Sequence, residues 1–243
     1  EGVKLDYYYY TDSNFPPRNK ALMPRLQAKI PRMYGWELAP GYDYYIWADA
    51  SIVFSNPDAV SFLLEQCKDY DISFLRHPEY RTSIQQELEF VESHMSGLSG
   101  DKIGYRCTNS RYSTEPIRKQ VETYLLDKEF VDNKLYATGL FIYKNNEITR
   151  KLLVDWFTHN SRYSIQDQLS LPYVLSKSKC KVNTIDLNIM NNNYTTYHYR
   201  KEYFMDSKKV LTDYFDGALY INLDKTPDRR DEAEREFKRH SLS

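Results

Sequence analysis

Four short apolar runs, Tyr44 to Ala48, Asp71 to Leu75, Tyr136 to Tyr143 and Lys181 to Ile185, are spaced along the chain with stretches of helical periodicity between them. A run of that length between turn residues has the character of a buried strand, whereas apolar residues three and four apart mark one face of a helix. Helices are expected over Arg18 to Met33, with Leu22, Leu26, Ile30 and Met33 as the stripe, and over Ala59 to Cys67 and Thr82 to Met95. Further helices are expected over Glu115 to Glu129, Ile148 to His159 and Ser164 to Leu175. Strands alternating with helices in this way restrict the fold to α/β, with a mostly parallel central sheet flanked by helices. Another strand is expected at Leu5 to Thr11, before the breakers Asp12-Ser13-Asn14 and Pro16-Pro17, and a loop over Ser96 to Ser113.

A chain of 243 residues is long enough to bury a sizeable core. Its 33 basic and 34 acidic residues leave a net charge of -1, so there is no bulk field to draw nucleic acid or an anionic membrane. It contains neither an apolar stretch of about 18 residues nor a hydrophobic leader, so no membrane span and no export signal are expected. Cys67, Cys107 and Cys180 are odd in number and far apart, which argues against a disulfide framework or a zinc knuckle and for a reducing, cytoplasmic setting. The acceptor triplet Asn193-Tyr194-Thr195 matters only in a secretory compartment. Tyrosines number 23 against 11 phenylalanines; the ring with a polar tip suits a carbohydrate-facing surface, or simply replaces phenylalanine.

Asp49 follows the apolar run Tyr44 to Ala48, with Ser51 two residues on. A carboxylate at a buried strand end costs free energy unless a cation or a donor meets it. Oxygen donors at this spacing fit a hard divalent cation held against a diphosphate; the plainer alternative is an acid capping a turn. Ligands of open α/β sheets sit beyond the carboxyl ends of the strands, and Arg76 and His77 stand just past the second run, where they suit a sugar or a phosphate. Lys29 and Arg25, on the helix before the Asp49 strand, offer compact and forked charge to a diphosphate, or are ordinary solvated helix charges. Asp167, between Gln166 and Gln168 at the head of an apolar helix, is a candidate base, or an acid complementing the helix dipole. Glu87 and Glu89 are reserve candidates.

The run Ala28-Lys29-Ile30-Pro31, the strand Tyr42 to Asp49, then Ser73-Phe74-Leu75-Arg76-His77 and Ser164 to Ser170 together resemble a glycosyltransferase family of GT-A type. It is the family of plant turgor and mucilage proteins and of bacterial or viral polysaccharide enzymes, long catalogued as a domain of unknown function. The resemblance covers roughly Asp6 to Ile185 and implies a GT-A (Rossmann-like) domain over residues 1–212. It implies transfer of a sugar from a nucleotide diphosphate donor, a uridine diphosphate sugar above all, to a glycan acceptor, with Mn2+ or Mg2+ bridging protein and diphosphate. Asp49 is then a metal ligand and a catalytic residue, Ser51 a weaker ligand, and His198 the third ligand, since such enzymes draw a histidine from late in the fold. Asp167 becomes the residue that takes the acceptor's proton or binds a sugar hydroxyl.

Two departures stand out: Ser51 replaces the second acid of an Asp-x-Asp pair, and the fold's first strand has no counterpart, which implies a chain trimmed at its start. Residues 213–243, with the run Gly217 to Asp224 and a charged helix after Pro227, resemble the opening of a lipopolysaccharide family 25 glycosyltransferase, or else close the same domain. The former implies further glycosyltransferase modules in the same polypeptide. The rival enzyme reading is a phosphoryl or nucleotidyl transferase, against which stands the lack of a Gly-x-x-x-x-Gly-Lys loop. The non-enzyme reading is a glycan-binding or scaffold module.

Overall fold

In a computed structural model of the chain, the structure describes residues 5–10, 14–15, 22–78, 81–95, 112 and 114–197. The expected helix begins at Pro24 and comes in three short pieces, α1 (Pro24–Gln27), α2 (Lys29–Met33) and α3 (Gly35–Leu38). Pro31 explains the break at Ala28, because it has no N–H to return to the carbonyl of Gln27. The chain continues through β1 (Tyr44–Ala48), β2 (Ile52–Phe54), α4 (Ala59–Cys67), β3 (Ile72–Arg76), α5 (Ile84–Met95), α6 (Ile117–Leu125) and β4 (Tyr136–Lys144). It ends in α7 (Glu147–Arg162), α8 (Asp167–Ser176), β5 (Val182–Ile185) and β6 (Thr195–Tyr197). Leu5 to Tyr10, expected as a strand, pairs with no other strand among the described residues. Of the expected loop from Ser96 to Ser113 only Tyr112 is described; the segment 213–243 lies outside the described residues.

The central sheet has the order β1-β4-β3-β5. The expectation of a mostly parallel sheet is corrected: β4 is antiparallel to both β1 and β3, and β3 with β5 is the one parallel pair among the three. The cause is the route between β3 and β4. A parallel neighbour requires a crossover that carries the chain back to the starting end of the sheet. Here α5 and α6 pack with each other and with α8, and β4 starts beside the end of β3, with Tyr136 opposite Arg76. Even so, β1, β3 and β5 all run the same way, so their carboxyl ends share one edge of the sheet. A separate two-stranded ribbon, β2 with β6, continues from β1.

Alternation along β4 divides the core between the two faces. Phe141 and Tyr143 pack with Met33 of α2, Leu152, Leu153 and Trp156 of α7, and Leu171 and Val174 of α8. Leu140 and Ile142 face the other way, onto Leu63 and Cys67 of α4. A third cluster joins α5, α6 and α8 through Leu88, Val121 and Leu169. Cys67 and Cys180 are free thiols. No helix among the described residues is long and apolar enough to cross a membrane.

α7 is fixed at its start by a reciprocal cap. The Asn146 side chain accepts from the Thr149 amide at 2.9 Å, and the Thr149 hydroxyl accepts from the Asn146 amide at 3.2 Å. That cap sets the helix that carries Trp156 and Asn160 to the end of the sheet.

Candidate functional site

The ladder between β3 and β4 is irregular where the site forms. Phe74 pairs with Phe141 but the next residue, Leu75, pairs with Ala137, so Thr138, Gly139 and Leu140 have no partner on β3. Such bulges free backbone groups and re-aim a strand beside a site. The freed Thr138 carbonyl is used by a side chain, and the Gly139 carbonyl, on the other side of β4, continues the ladder to β1. The Asp49 amide donates to the Gly139 carbonyl at 2.7 Å, and the Arg32 guanidinium donates through Nη2 to the Thr138 carbonyl. Gln168 Nε2 reaches the Thr138 hydroxyl at 3.2 Å.

Asp167 opens α8 and is buried. Its Oδ2 accepts from Lys29 Nζ and, at 2.6 Å, from Arg32 Nη1, while Oδ1 accepts from Asn160 Nδ2 at 2.8 Å. A chain of buried donors stands behind Asn160: Trp156 Nε1 donates to the Ser170 hydroxyl at 3.0 Å, which donates to Asn160 Oδ1 at 2.6 Å. Arg32 lies among the rings of Trp47, Phe141 and Trp156, 5.3 to 5.7 Å from their centres, where its charge is favourable against the π faces. Its Nε has no hydrogen-bond partner.

Burial pushes the Asp167 carboxyl up, but Arg32 and Lys29 outweigh it and hold the group below the usual carboxylate range. Burial pushes the Lys29 ammonium down from the ordinary lysine value, against the pull of Asp167 and, more weakly, of Asp49. Asp49 is therefore close enough to act on the same ammonium that Asp167 holds. Lys29 is the more accessible of the two cations, with 11% of its side chain exposed against 4% for Arg32.

Asp49 does close a turn, since its carbonyl accepts from the Ile52 amide at 2.8 Å, but only its backbone is used there. Its side chain is free of capping duty. Oδ1 accepts from the Trp47 indole at 2.7 Å, and Oδ2 lies 3.1 Å from where a Cβ on Gly139 would stand. Ser51 sits in the same turn, half-buried. Asp49 and Ser51 thus present a carboxylate and a hydroxyl at one sheet end, oxygen donors of the kind Mn2+ or Mg2+ accepts. Among the described residues, no three His, Cys, Asp or Glu side chains are grouped to hold a metal. His198, the expected third ligand, lies outside the described residues.

Lys29 and Asp167, picked from separate stretches of sequence, are in contact, and Asp49 acts on Lys29 electrostatically; Arg25, Arg76 and His77 are not among these groups. Arg25 lies in α1 and is not among the donors to Asp167. Arg76 points outward to Asp186 at 2.6 Å in an exposed pair, and His77 is buried beside it. They flank β4 on the side opposite Asp49, two strand spacings or about 10 Å across the sheet. Glu87 is buried and supports the site from below: it accepts from Arg81 at 2.7 Å and from Gln166, the neighbour of Asp167, at 2.7 Å. Glu89 is exposed, tied to Gln85 on its own helix. Arg32, Asn160, Thr138 and Gly139 are the site residues that sequence reasoning did not name. Comparison with known protein families, characterised proteins and solved structures returns no match for this chain.

Proposed function

We propose that the chain is a glycosyltransferase that moves a sugar from a nucleotide diphosphate donor, a uridine diphosphate sugar by preference, to a glycan. The observation that carries this reading is the Lys29 ammonium, pinned by Asp167 and within the field of Asp49 at the end where β1, β3 and β5 finish. Breaking the bond between the sugar carbon and the diphosphate leaves negative charge on the phosphate oxygen. Fixed positive charge at that point lowers the barrier because it is already in place when the charge develops. Lys29 supplies such a charge, and Arg32 stiffens its mount by sharing Asp167. Asp49 and Ser51, with His198, would hold a divalent cation, which adds Lewis-acid neutralisation of the leaving diphosphate. In this reading Asp167 keeps the two cations in place rather than accepting the acceptor's proton, because both its oxygens are occupied by donors.

Calorimetry tests the reading. Uridine diphosphate sugars are expected to bind with Mn2+ present and to bind far more weakly once it is chelated. A protein that binds glycans yet no nucleotide sugar with or without Mn2+ is the scaffold of the alternative reading, and the transferase assignment then fails. Other glycosyltransferase domains in the same polypeptide, and a cytoplasmic place for them, complete the proposal.

Gly139 offers a second check. A methyl group there would press on Asp49 Oδ2 at 3.1 Å and on Ile189 Cδ1 at 3.2 Å. Gly139→Ala is expected to displace the carboxylate by a few tenths of an ångström and to weaken Mn2+-dependent donor binding by roughly tenfold, since small misplacements in a preorganised site are costly. Equal donor affinity in the variant and the parent would remove Asp49 from the metal site.

A further inference from the structure

Tyrosine is concentrated at one place in this fold. A groove of about 670 Å³, a volume usual for a small-molecule cleft, runs beside β1 and is lined by eight of the 23 tyrosines against one of the 11 phenylalanines. Tyrosine standing in for phenylalanine would keep the proportion of the whole chain; what the groove gathers is flat apolar rings that carry hydroxyls. Its far wall is Leu5 to Tyr10, with Tyr7 and Tyr8 exposed. The Tyr42 hydroxyl holds that wall to the body: it donates to Asp6 Oδ2 at 2.6 Å and lies 2.7 Å from the Tyr8 hydroxyl.

Opposite that wall the groove presents polar groups. β1 is an edge strand of the sheet; the Asp49 amide bonds to the Gly139 carbonyl, and the Asn145 amide to the Asp43 carbonyl. Bonded positions alternate in an antiparallel ladder, so Tyr44, Ile46 and Ala48 turn their N–H and C=O groups away from β4. No strand among the described residues receives them. Arg32, also in the lining, has 4% of its side chain exposed and an Nε without a hydrogen-bond partner. A hydroxyl both gives and accepts a hydrogen bond, so it satisfies donors and acceptors set side by side. A polypeptide strand seated there would turn a second regular row of N–H and C=O groups toward Leu5 to Tyr10, which pairs with no strand among the described residues. Charge narrows the class further. Asp6, Asp43 and Arg32 are the charged lining residues, and Arg32 is already matched by Asp167, so the groove is left negative and repels a diphosphate or an acidic sugar.

We propose that this groove is a subsite for a neutral oligosaccharide, which lies along β1 with its rings against the tyrosines and its hydroxyls on Arg32 Nε and on the outward backbone groups of Tyr44, Ile46 and Ala48. The five residues of β1 extend about 17 Å, room for several sugar rings in line. One end of the groove meets the site already described: its lining includes Ala48 and Ala50, on either side of Asp49, and Trp47, whose indole donates to Asp49 at 2.7 Å. The glycan therefore ends beside Asp49, where it serves as the acceptor. Saccharide binding stands on the groove alone; the acceptor role rests on the transferase reading.

Amide NMR of the chain with Mn2+ chelated and no nucleotide present reads occupancy apart from any transfer. The probes are gluco-, galacto-, manno- and xylo-oligosaccharides of increasing length, with oligogalacturonates as the acidic control. At least one neutral series is expected to shift the amides of Tyr44, Ile46 and Ala48, more tightly as rings are added, while the oligogalacturonates leave them in place. Tyr8→Ala, which removes an exposed ring, is expected to weaken that binding by roughly tenfold. Val60→Trp, which fills the groove from α4, is expected to remove it. Both variants should keep the parent's Mn2+-dependent donor binding. The proposal is overturned if no neutral series moves these amides, or if both variants bind saccharide as the parent does. It is overturned too if uridine diphosphate displaces the saccharide, which assigns the groove to the nucleotide, or if concentrating the protein alone moves the amides, which assigns it to a second copy. Donor binding absent with saccharide binding present strikes the transferase reading and leaves the subsite; donor binding present with an empty groove strikes the subsite alone.

Discussion

Asp49→Ala is expected to leave the protein folded and to lower donor-dependent sugar transfer by roughly 10² to 10³-fold, the effect of removing one preorganised charge-stabilising group. The two effects separate because Asp49 does two jobs with different atoms. Its backbone joins β1 to β4 and closes the turn to Ile52, and alanine keeps both bonds. Its side chain receives one hydrogen bond, from Trp47 at 2.7 Å, whose loss costs about 1 kcal/mol at a half-buried position. A change of that size leaves most of a typical stability margin of about 5–15 kcal/mol. The measurement pairs a thermal melt with product formation across a panel of nucleotide sugars. A folded variant that transfers at the parent's rate would show that the carboxylate serves the turn and Trp47 alone.

The four strands of the central sheet and their approximate limits are legible because each is an apolar run of the right length; the short ribbon of β2 and β6 is not, and the aromatic run from Leu5 has the composition of a strand without pairing as one. The order of the four is not legible either. Nothing in Tyr136 to Tyr143 says that this strand inserts between β1 and β3 with opposite sense; that follows from α5 and α6 staying at one end of the sheet, a tertiary fact. The bulge that frees the Thr138 carbonyl is invisible for the same reason, since it exists only as a mismatch with β3. In the site, Asp49, Lys29 and Asp167 carried a local signal: an acid after a strand, a base on a preceding helix, an acid at a helix start. Arg32 carried one too, three residues after Lys29 and so on the same helix face. Nothing local marks an arginine between Pro31 and Met33 as buried; three aromatic rings and one carboxylate, all distant in sequence, make its burial tolerable. Arg76 and His77 show the limit of strand-end logic. Both stand at a strand end, but the side of β4 on which that end lies depends on sheet order, and it sets them apart from Asp49.

Asp167→Ala should be the most destabilising single change in the site, and the reason is an imbalance of charge. The buried cluster holds two cations on one carboxylate, with Asp49 acting on Lys29 from the half-buried turn. Removing Asp167 leaves Arg32, which cannot shed its proton, buried without a carboxylate. Breaking a buried pair by deleting one partner costs about 3–5 kcal/mol. Lys29→Met is expected to cost much less, because Arg32 and Asp167 remain as a matched pair and the methionine stem fills the same space; it should nevertheless abolish donor binding if Lys29 meets the diphosphate. Acid adds a signature. A carboxyl held below its usual range contributes stability that is present above the unfolded value near pH 3.9 and is lost as pH falls through the lower folded value. The parent should therefore lose stability progressively below about pH 4, and Asp167→Ala should lose less over the same interval, having no such proton to take up. Urea titrations of the three proteins at pH 7 and at pH 3 measure both effects through the midpoint, provided the slope is unchanged. An Asp167→Ala protein within about 1 kcal/mol of the parent at pH 7 would mean that water reaches Arg32 and that the anchor assigned to Asp167 lies elsewhere.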